Sequence, residues 1–181
     1  MSSDVSMVTG QQILFNLSAS YVPTVLGDLE LGTATDVEMD LTSVQSGEAE
    51  ESTKGDLTAT WAPAYAVHAA FEFATAPVTG ETVDVYWAPS VNSAAAEGNP
   101  GYVVGAPGAY AGGVATLAEG LKQLMFIGSL VCSTDATATV QMAFIATFAP
   151  PTRYGTLVVH NNTSDHFHND AVEMGVSFTP I

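Results

Sequence analysis

Positive charge is almost absent from this sequence. Three basic residues, Lys54, Lys122 and Arg153, stand against 19 acidic ones among 181 residues, so the formal net charge is −16. Proteins that bind nucleic acid or anionic membrane surfaces use clusters of Lys and Arg to neutralise phosphates, and three scattered cations form no such cluster. We therefore expect no direct contact with nucleic acid and no binding to a membrane.

Cysteine and long apolar runs are scarce as well. Cys132 is the single cysteine, so no intrachain disulfide can form, and its apolar sequence context is typical of a buried thiol. No stretch approaches the roughly 18 apolar residues of a membrane-spanning helix. The first residues lack a basic segment followed by an apolar one, which predicts no secretory leader. A chain of this length can bury a core without disulfides or metals.

The sequence also lacks the common catalytic motifs. It contains no Gly-x-Ser-x-Gly, no glycine-rich phosphate loop ending in Lys-Ser or Lys-Thr, and no dinucleotide-binding glycine fingerprint after a strand pattern. These absences exclude the hydrolase, nucleotide-hydrolysing and dehydrogenase classes that depend on those motifs. We therefore predict that the chain is not an enzyme and holds no cofactor.

What the sequence does contain is alternation of apolar and polar residues, the pattern of β-strands with one buried face. In DVEMDL, residues 36–41, three apolar side chains alternate with three acidic ones. Only VATLAEGLKQL, residues 114–124, favours a helix. Similar or more apolar strand patterns occupy six further segments: 66–73, 82–87, 124–132, 138–148, 156–160 and 171–178.

Seven to nine strands separated by Gly, Pro and Asn turn signals predict an all-β fold, specifically a jelly-roll-like antiparallel β-sandwich with one short helix. We assign residues 11–181 to this single domain. Residues 1–10 are polar and carry no core pattern, so we assign them to an extended N-terminal arm that becomes ordered on docking. The low charge of the later strands predicts coverage of both their faces, by a second sheet and by neighbouring copies.

Two segments interrupt the strand pattern. Residues 45–55, QSGEAEESTKG, are polar and are predicted to form a solvated acidic loop. Residues 90–113 are rich in glycine yet carry apolar and aromatic side chains, which favours docking on a partner.

Arg153 is expected to pair with an acid either across a subunit boundary or within the chain. The predicted protein-contact residues are Tyr102, Val103, Tyr110, Arg153, and Met7 and Val8 of the arm.

Three of the four histidines lie within HNNTSDHFHND, residues 160–170. On a strand, His166 and His168 would point to the same side, and Glu173 completes a His-x-His-x4-Glu spacing of metal-ligand types. The Asn, Asp and Ser residues of the segment are typical turn formers. The sequence therefore favours a hairpin loop and no metal, with His166, His168 and Glu173 kept as candidate ligands.

The His-x-His-x4-Glu spacing resembles the first half of the cupin metal motif. That resemblance implies a metal-dependent enzyme on a β-sandwich. The sequence departs from the motif at His160 and Pro180, where cupins have glycine, and no second histidine motif follows Glu173. A cupin-like enzyme is therefore kept as an alternative only.

The later half of the sequence resembles the β-sandwich decoration, or cement, proteins of tailed-bacteriophage heads. The resemblance covers residues 60–181 and rests on FAPPTRYGTLVVHN between two late strands and on the glycine-rich aromatic loop before it. It implies a virion structural protein on the outer surface of the capsid, bound to the major capsid protein as a homo-oligomer, with a trimer favoured. Phage tail and fibre modules share these features, so a receptor- or sugar-binding module near Tyr86 and Trp87 is a further alternative.

Overall fold

The computed structural model describes residues 10–23, 27–31, 34–133 and 139–181. Nearly all regular structure in these ranges is strand. The elements are β1 (Ile13–Asn16), β2 (Thr35–Glu38), β3 (Ala49–Glu51), β4 (Gly55–Asp56), β5 (Tyr65–Glu72), β6 (Thr82–Ser90), β7 (Gly108–Ala109), α1 (Leu117–Leu121), β8 (Met125–Val131), β9 (Val140–Phe148), β10 (Tyr154–Asn162) and β11 (Gly175–Pro180). Of the proposed N-terminal arm, residues 1–9, with Met7 and Val8, lie outside the described residues.

The strands pair as one antiparallel ribbon that is folded over on itself. Strand β1 pairs with β11, β3 with β10, β5 with β9, and β6 with β8. Rolling such a ribbon produces two packed sheets, whose orders are β2-β1-β11-β5-β9 and β7-β3-β10-β6-β8. The nested pairing of eight strands in two sheets is the jelly-roll arrangement. The predicted jelly-roll-like sandwich is therefore confirmed.

The single helix of the described residues is shorter than the pattern over residues 114–124 predicts. The Thr116 hydroxyl accepts a hydrogen bond from the Glu119 amide, and the Glu119 carboxylate accepts one from the Thr116 amide, so a capping box starts the helix at Leu117. Gly112 and Gly113 precede this cap with left-handed φ values of 75° and 66°, which prevents an earlier start. In the described part of the chain, no helix has the length and apolar character needed to cross a membrane.

An aromatic cluster fills the space between the two sheets. Trp87 of β6 is fully buried, and its indole contacts the rings of Phe15 and Phe178 at centroid distances of 6.1 and 5.6 Å. The indole also lies against Gly155 of β10, where an added Cβ would overlap it. The absence of a side chain at position 155 therefore makes room for the largest residue of the core.

Segments of the same chain cover much of the outer face of each sheet. Tyr21 and Leu29 pack over Leu14 and Ala70 on the sheet that contains β1. The segment that includes α1 covers the other sheet, through a second cluster of buried residues: Ala49, Ala88, Val103, Tyr110, Leu121, Leu124 and Val158. Coverage by segments of the same subunit therefore accounts in large part for the low charge on both faces of the strands.

The prediction of a solvated loop over residues 45–55 is right for residues 45–48, which are exposed, and wrong for the rest. The later part of the segment contains β3 and the start of β4, both of which pair with β10, and Ala49 and Glu51 are each only 2% exposed. The sequence pattern hides this strand because one of its buried positions, Glu51, is a carboxylate. Glu51 can be buried because its carboxylate accepts hydrogen bonds from the backbone amides of Val104 and Gly105.

Candidate functional site

One side of the sandwich is formed by two long edge strands that carry no charged residue. Strand β8, MFIGSLV, ends one sheet, and strand β9, VQMAFIATF, ends the other. The two strands approach closely where Gly128 of β8 lies against Ile145 of β9. Strands β8 and β9 together are here called the uncharged edge. Their exposed apolar side chains, between 38% and 59% exposed, are Met125, Phe126, Val131, Met142 and Phe144.

The opposite side of the sandwich is built differently. Strand β2 has only four residues, of which Asp36 and Glu38 are acidic, and β7 has only two residues. Short or charged edge strands are the usual protection against pairing with another chain. The uncharged edge has neither form of protection over its seven- and nine-residue strands. It is therefore the side of the molecule best suited to be covered by another protein surface.

Aromatic contacts extend the uncharged edge onto both outer faces of the sandwich. Phe126 lies edge-on to Tyr86 of β6 at 5.4 Å between ring centroids, and Phe144 lies edge-on to His68 of β5 at 5.3 Å. Phe126 and Tyr86 also line an open groove of about 430 Å³. Trp87 points into the core and is 0% exposed. Its indole therefore cannot stack on a sugar, as the alternative of a sugar-binding module near Tyr86 and Trp87 would require.

The predicted contact residues of the 90–113 segment fall into two groups. Tyr102 is 51% exposed and has an unusual left-handed φ of 62°, so it remains a candidate contact. Val103 and Tyr110 are each 4% exposed, and the Tyr110 hydroxyl donates a hydrogen bond of 2.6 Å to the Gly101 carbonyl. These two side chains belong to the second core of the subunit, because their apolar surface is buried against β3, β6 and β10. At this exposure they offer little surface to a partner protein.

Arg153 is paired within its own subunit. Its Nε and Nη2 atoms each donate a hydrogen bond of 2.7 Å to the Asp56 carboxylate, a bidentate arrangement. This contact lowers the pKa of Asp56. Of the two pairings considered for Arg153, the structure contains the intrachain one, between β4 and the start of β10.

Two charged residues fasten the 90–113 segment to the sandwich. The Lys54 ammonium donates hydrogen bonds to the Ser90 hydroxyl and to the carbonyls of Asn92, Ala94 and Glu97, at 2.6–3.1 Å. The Glu51 carboxylate accepts a hydrogen bond of 3.1 Å from the Val104 amide. The segment therefore docks on its own subunit, whereas the sequence pattern had favoured docking on a partner.

The burial of Glu51 makes stability depend on pH. Burial raises the pKa of Glu51 from 4.5 to about 7, and the hydrogen bond from Val104 opposes this rise only in part. Between these two pH values the folded chain binds more protons than the unfolded chain, so stability falls as the pH rises. The pKa of Glu50 is also raised to about 7, again mainly by burial.

We expect Glu51→Gln to flatten this pH dependence. The amide oxygen of Gln can still accept the Val104 hydrogen bond, but the side chain no longer ionises. Urea denaturation between about pH 5 and about pH 8 should show a smaller loss of unfolding free energy in the variant than in the unmodified protein. A residual slope from Glu50 should remain. Parallel pH profiles for the two proteins would refute this interpretation of Glu51.

Residues 166–168 form a short bridge to the end of β5. Phe167 pairs with Phe73, is fully buried and stacks on Phe71 with a centroid distance of 5.3 Å. On either side of it, the His168 amide donates to the Glu72 carbonyl at 2.8 Å and the Ala74 amide donates to the His166 carbonyl at 3.0 Å. Because side chains alternate along such a bridge, His168 lies opposite Glu72 on the face turned away from the core.

This bridge brings together a different set of metal-ligand types from the predicted one. Ligand atoms of Glu72, His168 and Asp170 all lie within 4.8 Å of one another. His166 lies beside Asp165, with 3.3 Å between Nδ1 and Oδ1. The carboxylate of Glu173 faces Gly27, where an added Cβ would lie 2.8 Å from its Oε2 atom. Of the predicted ligands His166, His168 and Glu173, only His168 belongs to the cluster.

Glu72 was missed because it lies on a different segment of the chain from His168, whereas Asp170 lies in the histidine segment and was interpreted only as a turn former. The alternation of Phe71, Glu72 and Phe73 places the Glu72 side chain on the solvent side, but the identity of its cross-strand neighbour depends on tertiary pairing. Comparison with known proteins adds no ligand set or reaction, because no protein-family model, curated protein or solved structure matches this chain.

Proposed function

We propose that this protein is a virion structural protein, a decoration protein that binds the major capsid lattice as a homo-oligomer and stabilises the head. The observation that carries the proposal is the uncharged edge formed by β8 and β9. An exposed apolar surface on long unprotected edge strands favours permanent coverage by another protein surface.

Charge favours a second copy of this chain as the occupant. Each copy has a formal net charge of −16, so copies repel one another over most of their surfaces. At physiological salt, charges separated by more than about 8 Å are largely screened from one another. Carboxylates in direct contact across an interface would still repel each other. Strands β8 and β9 carry no charged side chain, so two copies can meet there without placing carboxylates face to face.

The sequence resemblance implies a trimer, and the two strands allow one. A contact in which β8 of one copy meets β9 of the next, without the reciprocal contact of β9 with β8, is heterologous. Heterologous contacts close into rings when the rotation between copies permits it. The acidic strand β2 would then lie away from the ring contacts.

Attachment to a capsid is supported by the fold together with the sequence resemblance. Jelly rolls are common in viral capsids but also occur in lectins and cupins, so the fold alone does not assign the function. The absent catalytic motifs and the resemblance of residues 60–181 to phage decoration proteins favour the capsid role. Tyr102 is the exposed candidate for the capsid contact.

Co-sedimentation tests the proposal. Capsids assembled from the major capsid protein of the virus that carries this gene should bind the purified chain saturably and should then resist heat disruption better. Tyr102→Ala should weaken binding without changing the oligomeric state. If the chain stays in the supernatant at saturating concentrations and leaves head stability unchanged, the decoration role is wrong.

A further inference from the structure

The strongest unassigned cluster of ligand side chains lies where β5 ends beside the loop between β10 and β11. We propose that Glu72, His168 and Asp170 bind one divalent transition-metal ion, and that Zn²⁺ fits these ligands best. This inference is independent of the decoration role, because the site uses no residue of the uncharged edge.

The backbone holds two of the three ligands in place before any ion binds. The His168 amide donates to Glu72, and the Ser43 amide donates to the His168 carbonyl at 2.9 Å, so His168 is fixed from both sides. The buried ring of Phe167 lies next to it in sequence. Preorganisation of this kind lowers the entropy cost of binding.

The spacing of the ligand atoms suits a single ion. Zn²⁺ binds His nitrogen and carboxylate oxygen at about 2.0–2.2 Å in a tetrahedral arrangement, so two of its ligand atoms lie about 3.3–3.6 Å apart. The atoms of Glu72, His168 and Asp170 lie within 4.8 Å of one another. Side-chain rotations that move these atoms by about 1 Å would therefore complete the coordination.

One nitrogen of the cluster lacks a hydrogen bond. His168 Nδ1 is shielded from solvent and has no hydrogen-bond partner among the described residues, although Asp170 Oδ2 lies 3.2 Å away. A shielded nitrogen that meets a carboxylate without a well-directed hydrogen bond calls for an explanation. A cation between the imidazole and the carboxylate would satisfy both groups.

Negative charge is concentrated at the cluster. The Glu72 carboxylate lies near those of Asp170 and Glu173. The three basic residues of the chain lie elsewhere in the structure: Lys54 binds the 90–113 segment, Arg153 pairs with Asp56, and Lys122 lines the groove beside Phe126. A bound cation would relieve the repulsion between these carboxylates.

The ligand types indicate which ion fits. Imidazole favours zinc and its first-row neighbours, whereas calcium and magnesium prefer oxygen alone. Asp170 is exposed, so water has access to an open coordination position. Because the three ligands come from β5 and from the loop before β11, the ion would fasten that loop to the sheet.

Zinc binding to the full chain is measured by calorimetry in excess Mg²⁺, which occupies the other surface carboxylates. We expect one Zn²⁺ per chain, and a drop in affinity of at least about tenfold for His168→Ala and for Asp170→Asn. His166→Ala is the matched control, because it removes a neighbouring imidazole outside the cluster, and it should leave the affinity unchanged. Zn²⁺ should raise the melting temperature of the unmodified chain and of His166→Ala but not that of His168→Ala.

Three results would overturn the inference. The first is the absence of stoichiometric Zn²⁺ binding by the unmodified chain. The second is an equal loss of affinity in His166→Ala and His168→Ala, or no loss in Asp170→Asn, which would indicate adventitious binding to surface imidazoles. The third is tighter binding of Ca²⁺ than of Zn²⁺, which would contradict a ligand role for His168. Melting curves without metal show whether each variant is folded, so a misfolded variant is not scored as a lost ligand.

Discussion

Replacement of Trp87 by alanine is expected to lower the free energy of unfolding by about 3–5 kcal/mol, the range for large aromatic residues removed from a core. Trp87 is fully buried and contacts Phe15 and Phe178 from the facing sheet. Its removal would leave a cavity between the two sheets. Jelly-roll packing depends on this layer, because both sheets contribute rings to it.

The other tryptophan provides the control. Trp61 is 37% exposed, so Trp61→Ala should cost less than about 1.5 kcal/mol. Guanidinium denaturation of both variants at one fixed protein concentration gives the comparison. Equal losses for the two variants would mean that the aromatic cluster is not the main packing centre of the sandwich.

The second large effect concerns association. Phe144→Glu is expected to weaken self-association by about 100-fold or more, since burying an unpaired carboxylate in an uncharged interface costs several kcal/mol. Phe144 is 57% exposed and lies on β9, so the substitution should leave the stability of the subunit nearly unchanged. Size-exclusion chromatography with light scattering measures the change in mass.

Val114→Glu is the matched control for this experiment. Val114 is 89% exposed and lies outside the edge strands, so the same change of side chain there should not affect the oligomer. If Val114→Glu and Phe144→Glu dissociate the protein equally, net charge and not the uncharged edge controls association. If neither variant dissociates it, the copies meet at another surface.

Strand patterns in the sequence predict the fold well where the strands are long. The segments 66–73, 82–87 and 138–148 agree closely with β5, β6 and β9. Short strands escape this kind of prediction for a physical reason. Strand β3 buries a carboxylate, and the cost is met by amides of residues that lie far away in the sequence.

The candidate sites were predicted less completely than the fold. His168 could be singled out from its neighbours in the sequence, but Glu72 becomes its partner only through the pairing of Phe73 with Phe167. Val103 and Tyr110 looked like contact residues because apolar side chains in a glycine-rich segment do not show whether they cover another subunit or their own. That distinction depends on tertiary contacts, here the anchoring by Lys54 and Glu51.

The uncharged edge was visible in the sequence only as two strands of low charge. The sequence does not show that β8 and β9 are the edge strands of different sheets, or that they lie on the same side of the sandwich. This arrangement turns two ordinary apolar strands into one surface without charge.

Sedimentation equilibrium of the unmodified chain near physiological salt tests that surface most directly. With a subunit mass of 18.7 kDa, a ring closed through β8 and β9 predicts a stable assembly, with a trimer of three such masses expected. A single species of 18.7 kDa at every concentration would contradict the account, because the exposed edge would then be stable in water without a covering copy.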